Sequence, residues 1–298
     1  MKKRFQIFCS CVFVSVLLFG CGNTPSNSSK GSEGSNTSAT TSEDKKTEQP
    51  YQEEDIQEKV VPLEDKVQIS FPVHGTIFVD SNIILTSDPT TFKSLTEAGI
   101  GSREMYDRRV DNWITVDAFL FEVTYDDGLQ SEVRVNPEFE TVEAAKKEAL
   151  KYARRIGQLP TALRRDVKSI TINKGKELYG GGNEDILIHT GQTSEYERDG
   201  ILEETLVHEA THTSLDAYHA YSEKWIDAQL ADGKFISSYA ADYPTREDLA
   251  ETFLMYLAVR YRADRIATGL KDSIVAQIPE RIKYLDSLKL EMYPIIQE

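Results

Sequence analysis

Cysteine is nearly absent. The 298-residue chain has three, Cys9, Cys11 and Cys21, all within its first 21 positions. Nothing downstream offers a thiolate as nucleophile or metal ligand, and no disulfide can staple the rest of the chain. Any metal site must be built from histidine and carboxylate, and histidine is scarce too, at five residues. Long apolar runs are equally rare: Phe5 to Phe19 is the one candidate, and it is short for a membrane span. Positive charge is under-represented, with 34 Lys and Arg against 49 Asp and Glu and a formal net charge of −15. That sign disfavours a nucleic-acid partner or an anionic lipid surface. There is no internal repeat. The glycine cluster Gly180-Gly181-Gly182 lacks a following Lys-Ser/Thr, so it reads as a turn and not as a phosphate loop.

What is present begins at the N-terminus. Met1-Lys2-Lys3-Arg4 is a basic segment ahead of the apolar run, which ends in Leu18-Phe19-Gly20-Cys21 with a small residue directly before cysteine. This resembles the bacterial lipoprotein signal. The resemblance implies cleavage after residue 20, acylation of Cys21, and an anchor on the extracytoplasmic face of the cell membrane. Residues 1–20 carry three positive and no negative side chains, so −15 − 3 puts the mature chain near −18. A doubly acylated and N-acylated cysteine has the several chains that stable anchoring requires. Gly22 to Gln49 is dominated by Ser, Thr, Asn, Gly, Lys and Glu, and cannot bury enough surface to offset its ordering entropy. Residues 21–55 are therefore expected to be a flexible tether and 56–298 a folded α+β domain, with a sheet-rich half to residue 200 and a helical half from 201.

Within that domain, Gly75–Thr86 and Trp113–Val135 have the Val, Ile, Phe and Thr content of strands. Asp126-Asp127-Gly128 breaks the second into a hairpin. Thr90–Arg109 reads as mixed helix and loop. Thr141 is a candidate N-cap for a helix with apolar positions at Ala145, Ala149, Tyr152, Ala153 and Ile156, ended by Gly157 and Pro160. Asp166–Asn173 and the run "EDILIHT" read as strands.

Three of the five histidines lie in "LEETLVHEATHTSLDAYHAY", Leu202 to Tyr221. Gly200 marks a break before it, and Leu202, Thr205, Leu206, Ala210, Leu215 and Ala217 give helical periodicity. On a helix, His208 and His212 project about 40° apart around the axis and can bind one Zn²⁺ together. Glu209 lies beside that pair, where a general base for an attacking water is needed.

A catalytic zinc needs a third protein ligand and one open position. His219, seven residues after His212, misses the metzincin spacing of six, and Leu215 stands where that pattern has glycine, so His219 reads as a bystander or an outer support. Downstream, in "FISSYAADYPTREDLAETFLMYLAVRY", a helix is expected from Pro244 or Thr245. Glu247 and Glu251 would share one of its faces, as in the gluzincin arrangement. The residues themselves leave Glu247 and Glu251 open as alternatives. Together, "HEATHTSLDAYH" and "SYAADYPTREDLAETF" resemble the anthrax lethal factor-like metallopeptidases over about Leu202 to Arg260. That resemblance implies a zincin-like fold and a zinc peptidase. It makes Glu247 the third ligand, with Glu251 orienting a ligating histidine, and Tyr239 the oxyanion donor. Tyr239 lies eight residues before Glu247, one more than the family spacing, so Tyr243 remains an alternative.

Of the remaining candidates, His189 ends a strand expected at the sheet edge and reads as a routinely hydrogen-bonded histidine. His74 has no partner in sequence, and Asp107-Arg108-Arg109 reads as an ion-pair cluster. Asp216 either bonds a ligating histidine or faces solvent. The expected function is hydrolysis of a peptide or protein substrate outside the cell. A catalytically inactive binding lipoprotein and a zinc hydrolase of a cell-wall amide are the alternatives.

Overall fold

The computed structural model describes residues 71–296. The expected signal, tether and lipidation at Cys21 lie outside the described residues. The described chain is α+β, with one six-stranded mixed sheet and ten helices.

The strands are β1 (Phe92–Asp107), β2 (Asn112–Tyr125), β3 (Gln130–Val135), β4 (Ser169–Asn173), β5 (Gly180–Gly182) and β6 (Asp185–His189). Their order is β1-β2-β3-β4-β6-β5, with β3-β4 and β4-β6 parallel and the other pairs antiparallel. Alternation builds the inner face. Phe121, Val133, Ile170 and Ile186 form one cross-strand row, and Phe119, Val135, Ile172 and Ile188 the next. Helix α1 (Val142–Ile156) covers this face with Ala145, Ala149, Tyr152, Ala153 and Ile156, and Thr141 caps it by accepting from the Ala144 N–H at 3.1 Å. The β2–β3 hairpin turns at Asp126–Leu129, where Gly128 has φ 85°.

Thr90–Arg109 is not helix and loop but the 16-residue strand β1. Its apolar alternation is weak because much of it is a two-stranded ribbon with β2, beyond the reach of β3. Bulges beside Phe92 and Glu97 and a φ of 84° at Gly99 bend the ribbon. It comes back over the outer face of the sheet, where Arg103 pairs with Glu132 at 2.7 Å and the Asn173 amide donates to the Tyr106 carbonyl. Met105, Ala118 and Leu120 make a small second core there. Asp107-Arg108-Arg109 is largely the expected ion-pair cluster: Arg109 bridges Asp107 and Glu138, while Arg108 donates to the Tyr179 carbonyl at 2.8 Å.

The triple glycine is not the turn but the edge strand β5. The turn is Asn183-Glu184, both at positive φ (53° and 60°), the geometry of a two-residue hairpin loop. The expected edge, the "DILIHT" strand, is therefore interior. His189 on it is fully buried, with Nδ1 2.9 Å from the Lys174 carbonyl.

Gly75–Thr86 has strand composition without a sheet. Only an isolated bridge, Val73 with Ser237, precedes it. Three of its backbone donors go instead to buried carboxylates. Val79 and Asp80 N–H groups reach the two oxygens of Glu204 at 2.6 and 2.7 Å, and the Ile77 N–H reaches Glu251 at 2.9 Å.

The remaining helices are α2 (Thr161–Arg164), α3 (Thr190–Asp199), α4 (Leu202–Ser214), α5 (Asp216–His219), α6 (Glu223–Asp232), α7 (Ser238–Asp242), α8 (Asp248–Tyr261), α9 (Leu270–Gln277) and α10 (Pro279–Ser287). The histidine helix α4 stops at Ser214, so Ala217, expected on its apolar stripe, sits in α5 and is exposed. α8 starts at Asp248, later than Pro244 or Thr245, because the chain first makes turns in which Arg246 and Glu247 N–H groups both donate to the Tyr243 carbonyl. Glu247 is thus the N-cap residue, not a residue within the helix.

Candidate metal centre

Helices α4 and α8 pack against each other, and α4 also lies against β5. Two small residues fix that second contact. A Cβ on Gly181 would sit 1.9 Å from the Glu209 carbonyl oxygen, so only glycine lets the edge strand approach the helix backbone this closely. One turn on, the Thr213 hydroxyl lies 2.9 Å from the Gly182 N–H that donates to it and 3.0 Å from the Asp185 carbonyl. The backbone at Glu209 is therefore locked to the sheet edge.

On the far side of α4 the rings of His208 and His212 stand edge to face, centroids 4.7 Å apart. Their Nε2 atoms are 3.1 Å apart, and Oε2 of Glu247 lies 3.4 Å from His208 Nε2 and 3.2 Å from His212 Nε2. Among the described residues, these three form a group that could hold a metal ion. Nitrogen and oxygen ligands at about 2.0–2.1 Å from a tetrahedral ion are separated by about 3.3 Å. The three observed edges match that spacing, and three atoms converging from two helices leave a fourth corner open.

Each imidazole has a carboxylate behind it. Asp216 Oδ2 lies 2.7 Å from His212 Nδ1, so of the two readings of Asp216 the structure selects the histidine-bonded one. Glu251 Oε1 is 3.5 Å from His208 Nδ1, while its Oε2 accepts from the Ser237 hydroxyl at 2.7 Å and the Ile77 N–H. Glu251 is thereby placed behind the histidine, and Glu247 among the ligand atoms. Both imidazoles present Nε2 to the centre and turn Nδ1 to a carboxylate, the tautomer-fixing arrangement of metal-bound histidine.

Electrostatics follow from this crowding. Burial opposes the charge of Glu247, yet the hydrogen bonds and charge of His208 and His212 hold its carboxyl far below the ordinary range. Burial also opposes the imidazolium forms, but Glu247 outweighs it at His208, and Asp216 with Glu247 outweighs it at His212. Both are raised, His212 strongly. Burial pushes Glu251 up to about 7 against the pull of His208 and its hydrogen bonds. The buried charge of Glu247 is thus offset by the two imidazoles, and the imidazoles are offset in turn by Glu247 and Asp216.

Glu209 lies half-buried on α4 between the two histidines. Tyr239 on α7 and Tyr243 at its end are in ring contact, centroids 5.2 Å apart, and the Arg246 guanidinium lies over the Tyr243 ring at 4.3 Å. His219 is not part of the group: its Nδ1 is 2.8 Å from the Tyr284 hydroxyl on α10. His189 is on the sheet and His74 is exposed.

Sequence reasoning missed Arg246, whose Nε donates to Glu247 Oε1 at 2.7 Å, although it directly precedes Glu247 in "TREDL". It also missed the 73–80 segment as a support, because that segment acts through backbone N–H groups, which carry no residue signature. In comparisons with known proteins, no family model, no curated protein and no solved structure matches the chain.

Proposed function

We propose that this protein is a zinc-dependent endopeptidase with a zincin-like fold, akin to the anthrax lethal factor-like metallopeptidases and held to the outer face of the cell membrane through lipid on Cys21. The observation that carries the reading is the triangle of His208, His212 and Glu247, with edges of 3.1, 3.2 and 3.4 Å and a carboxylate behind each imidazole.

A zinc ion held there supplies Lewis acidity, polarising a carbonyl and making water more acidic. The chain's own groups do the rest. Glu209 takes the proton of the attacking water and passes it to the leaving amine, which departs neutral as the peptide C–N bond breaks. Tyr239 donates its hydroxyl hydrogen bond to the oxygen that gains negative charge. Asp216 and Glu251 keep the two imidazoles aimed with Nε2 inward. The packing of Gly181 on the Glu209 backbone holds the base still relative to the sheet edge.

A peptide-library digest with wild type and Glu209→Gln tests the reading. The expected result is chelator-sensitive internal cleavage by wild type and a loss of about 10²–10⁴-fold in the variant, with the metal retained in both. Tyr239→Phe should lose about 10²–10³-fold in kcat with its fold intact. A metal-loaded wild type that cleaves no peptide would overturn the peptidase assignment, in favour of a binding module if it cleaves nothing and of an amide hydrolase if it opens cell-wall fragments.

A further inference from the structure

Glu247 is held from both sides, and only one side is the metal triangle. Its side chain is almost wholly enclosed, with Oε2 turned toward the two imidazoles. The other oxygen, Oε1, accepts from Arg246 Nε at 2.7 Å. That contact is a charge-assisted hydrogen bond, the stronger class. The arginine is itself braced. Its guanidinium stacks over Tyr243 at 4.3 Å, and its backbone N–H and that of Glu247 both donate to the Tyr243 carbonyl, at 3.0 and 2.8 Å. One tyrosine thus fixes both ends of the Arg246–Glu247 pair.

We propose that Arg246 is a positioning residue that makes Glu247 a one-oxygen metal ligand. The inference rests on the metal-site reading above. A free carboxylate can offer a cation both oxygens, and a second oxygen on the ion would occupy the corner that a substrate carbonyl or water must use. Arg246 engages Oε1 and leaves Oε2 alone at the centre. It also places a positive charge beside a cluster that gathers Glu247, Glu251 and Asp216 around two imidazoles. On this account Tyr243 has a defined task as the platform under the guanidinium, which leaves the role of oxyanion donor to its neighbour Tyr239.

Arg246 is adjacent to Glu247 in the chain, and its guanidinium folds back over Tyr243 across the turn that precedes α8.

The test uses cobalt(II) as a spectroscopic substitute for zinc, in wild type, Arg246→Leu and Arg246→Gln. Visible absorption of cobalt is intense when four-coordinate and several-fold weaker with five ligands. Glutamine Nε2 is as many bonds from its Cα as arginine Nε, so the Gln variant keeps the hydrogen bond to Oε1. The expected result is an intense wild-type spectrum, a several-fold loss of intensity with cobalt still bound in Arg246→Leu, and restoration toward wild type in Arg246→Gln. A merely structural role would lower cobalt occupancy without changing intensity per bound ion. If Arg246→Leu does not fold, Tyr243→Leu, which removes the platform, should show the same loss in smaller degree. Equal intensity per bound cobalt in wild type and in the folded variant overturns the proposal alone. A wild type that binds neither cobalt nor zinc overturns the metal site and the proposal together.

Discussion

Asp216 and Asp185 are two buried-side carboxylates with opposite assignments. Asp216 serves the centre: its oxygen lies 2.7 Å from His212 Nδ1. Losing such a partner frees the ring to turn and weakens the basicity of its metal-facing nitrogen, an effect worth about 10–100-fold in metal affinity. Asp216→Ala should therefore bind zinc about 10–100-fold more weakly in a chelator competition, with the helix content of wild type; an unchanged affinity would remove Asp216 from the site. Asp185 serves the fold. It accepts from the Ser169 and Thr171 hydroxyls, and burial pushes its carboxyl up from 3.8 to about 6 despite those bonds. The folded chain then keeps a proton that the unfolded chain releases. The stabilisation is complete below about pH 4 and disappears as pH rises through about 6. Asp185→Asn keeps the acceptor oxygen and cannot ionise. Its stability relative to wild type should rise by about 3 kcal/mol between pH 3.5 and pH 8, from a shift of 6 − 3.8 at about 1.4 kcal/mol per unit. Parallel stability curves for the two proteins in denaturant would contradict this.

At the scale of elements, the centre depends on three things meeting: the histidine helix, the start of α8, and the glycine edge strand. The start of α8 is clamped from behind. Asp248, its first residue, is buried against Arg281 and the Gln229 amide, and Arg281 also bonds Asp232, whose other oxygen accepts the Glu280 N–H at the start of α10. A fully buried arginine between two aspartates thus sets where the Glu247 turn begins. The edge strand is set by absence of side chains. Gly181→Ala would place a methyl carbon 1.9 Å from the Glu209 carbonyl oxygen, far inside van der Waals contact, forcing β5 or α4 to move, and should cost about 1–3 kcal/mol or more. Gly180→Ala meets only the movable end of Arg108, at 2.9 Å, and should cost clearly less. Chemical denaturation of the pair decides it, and equal losses would show that the close approach does not matter.

The same elements explain what was legible in sequence. His208 and His212 could be paired from their spacing because both sit on one helix, whose period is a local property of the chain. Asp216 stayed undecided because it lies beyond the end of α4, on the separate turn α5, where the helical period no longer applies. The hairpin at Asp126–Gly128 and the capped helix α1 were readable for the same reason as the histidine pair, through local turn and capping chemistry. The ribbon β1 was not, because two glycines and many polar residues hide a strand that pairs on one side only. The glycine run read as a turn because the contact that requires glycine, the Glu209 backbone, is 28 residues away (209 − 181). Gly75–Thr86 reads as a strand because its apolar content is real, but its Ile77, Val79 and Asp80 N–H groups end on Glu251 and Glu204, a pairing that no local pattern announces.

For the molecule as a whole, strands and helices have a division of labour. The sheet, α1 and the later helices share one hydrophobic core, and the helices after residue 200 bring two imidazoles and a carboxylate oxygen within 3.4 Å of one another. Burial of that many ionisable groups is costly unless a cation is present. Binding of a metal should therefore stabilise the folded protein by mass action as well as complete the site. The decisive measurement is metal content of the protein purified without chelator and reloaded with excess zinc, for wild type and for His208→Ala, His212→Ala and Glu247→Ala. The account predicts one tightly held zinc per wild-type chain, with a higher unfolding temperature when loaded, and loss of both in every variant. Folded wild type that takes up no zinc, or a Glu247→Ala protein that holds it as tightly as wild type, would contradict it.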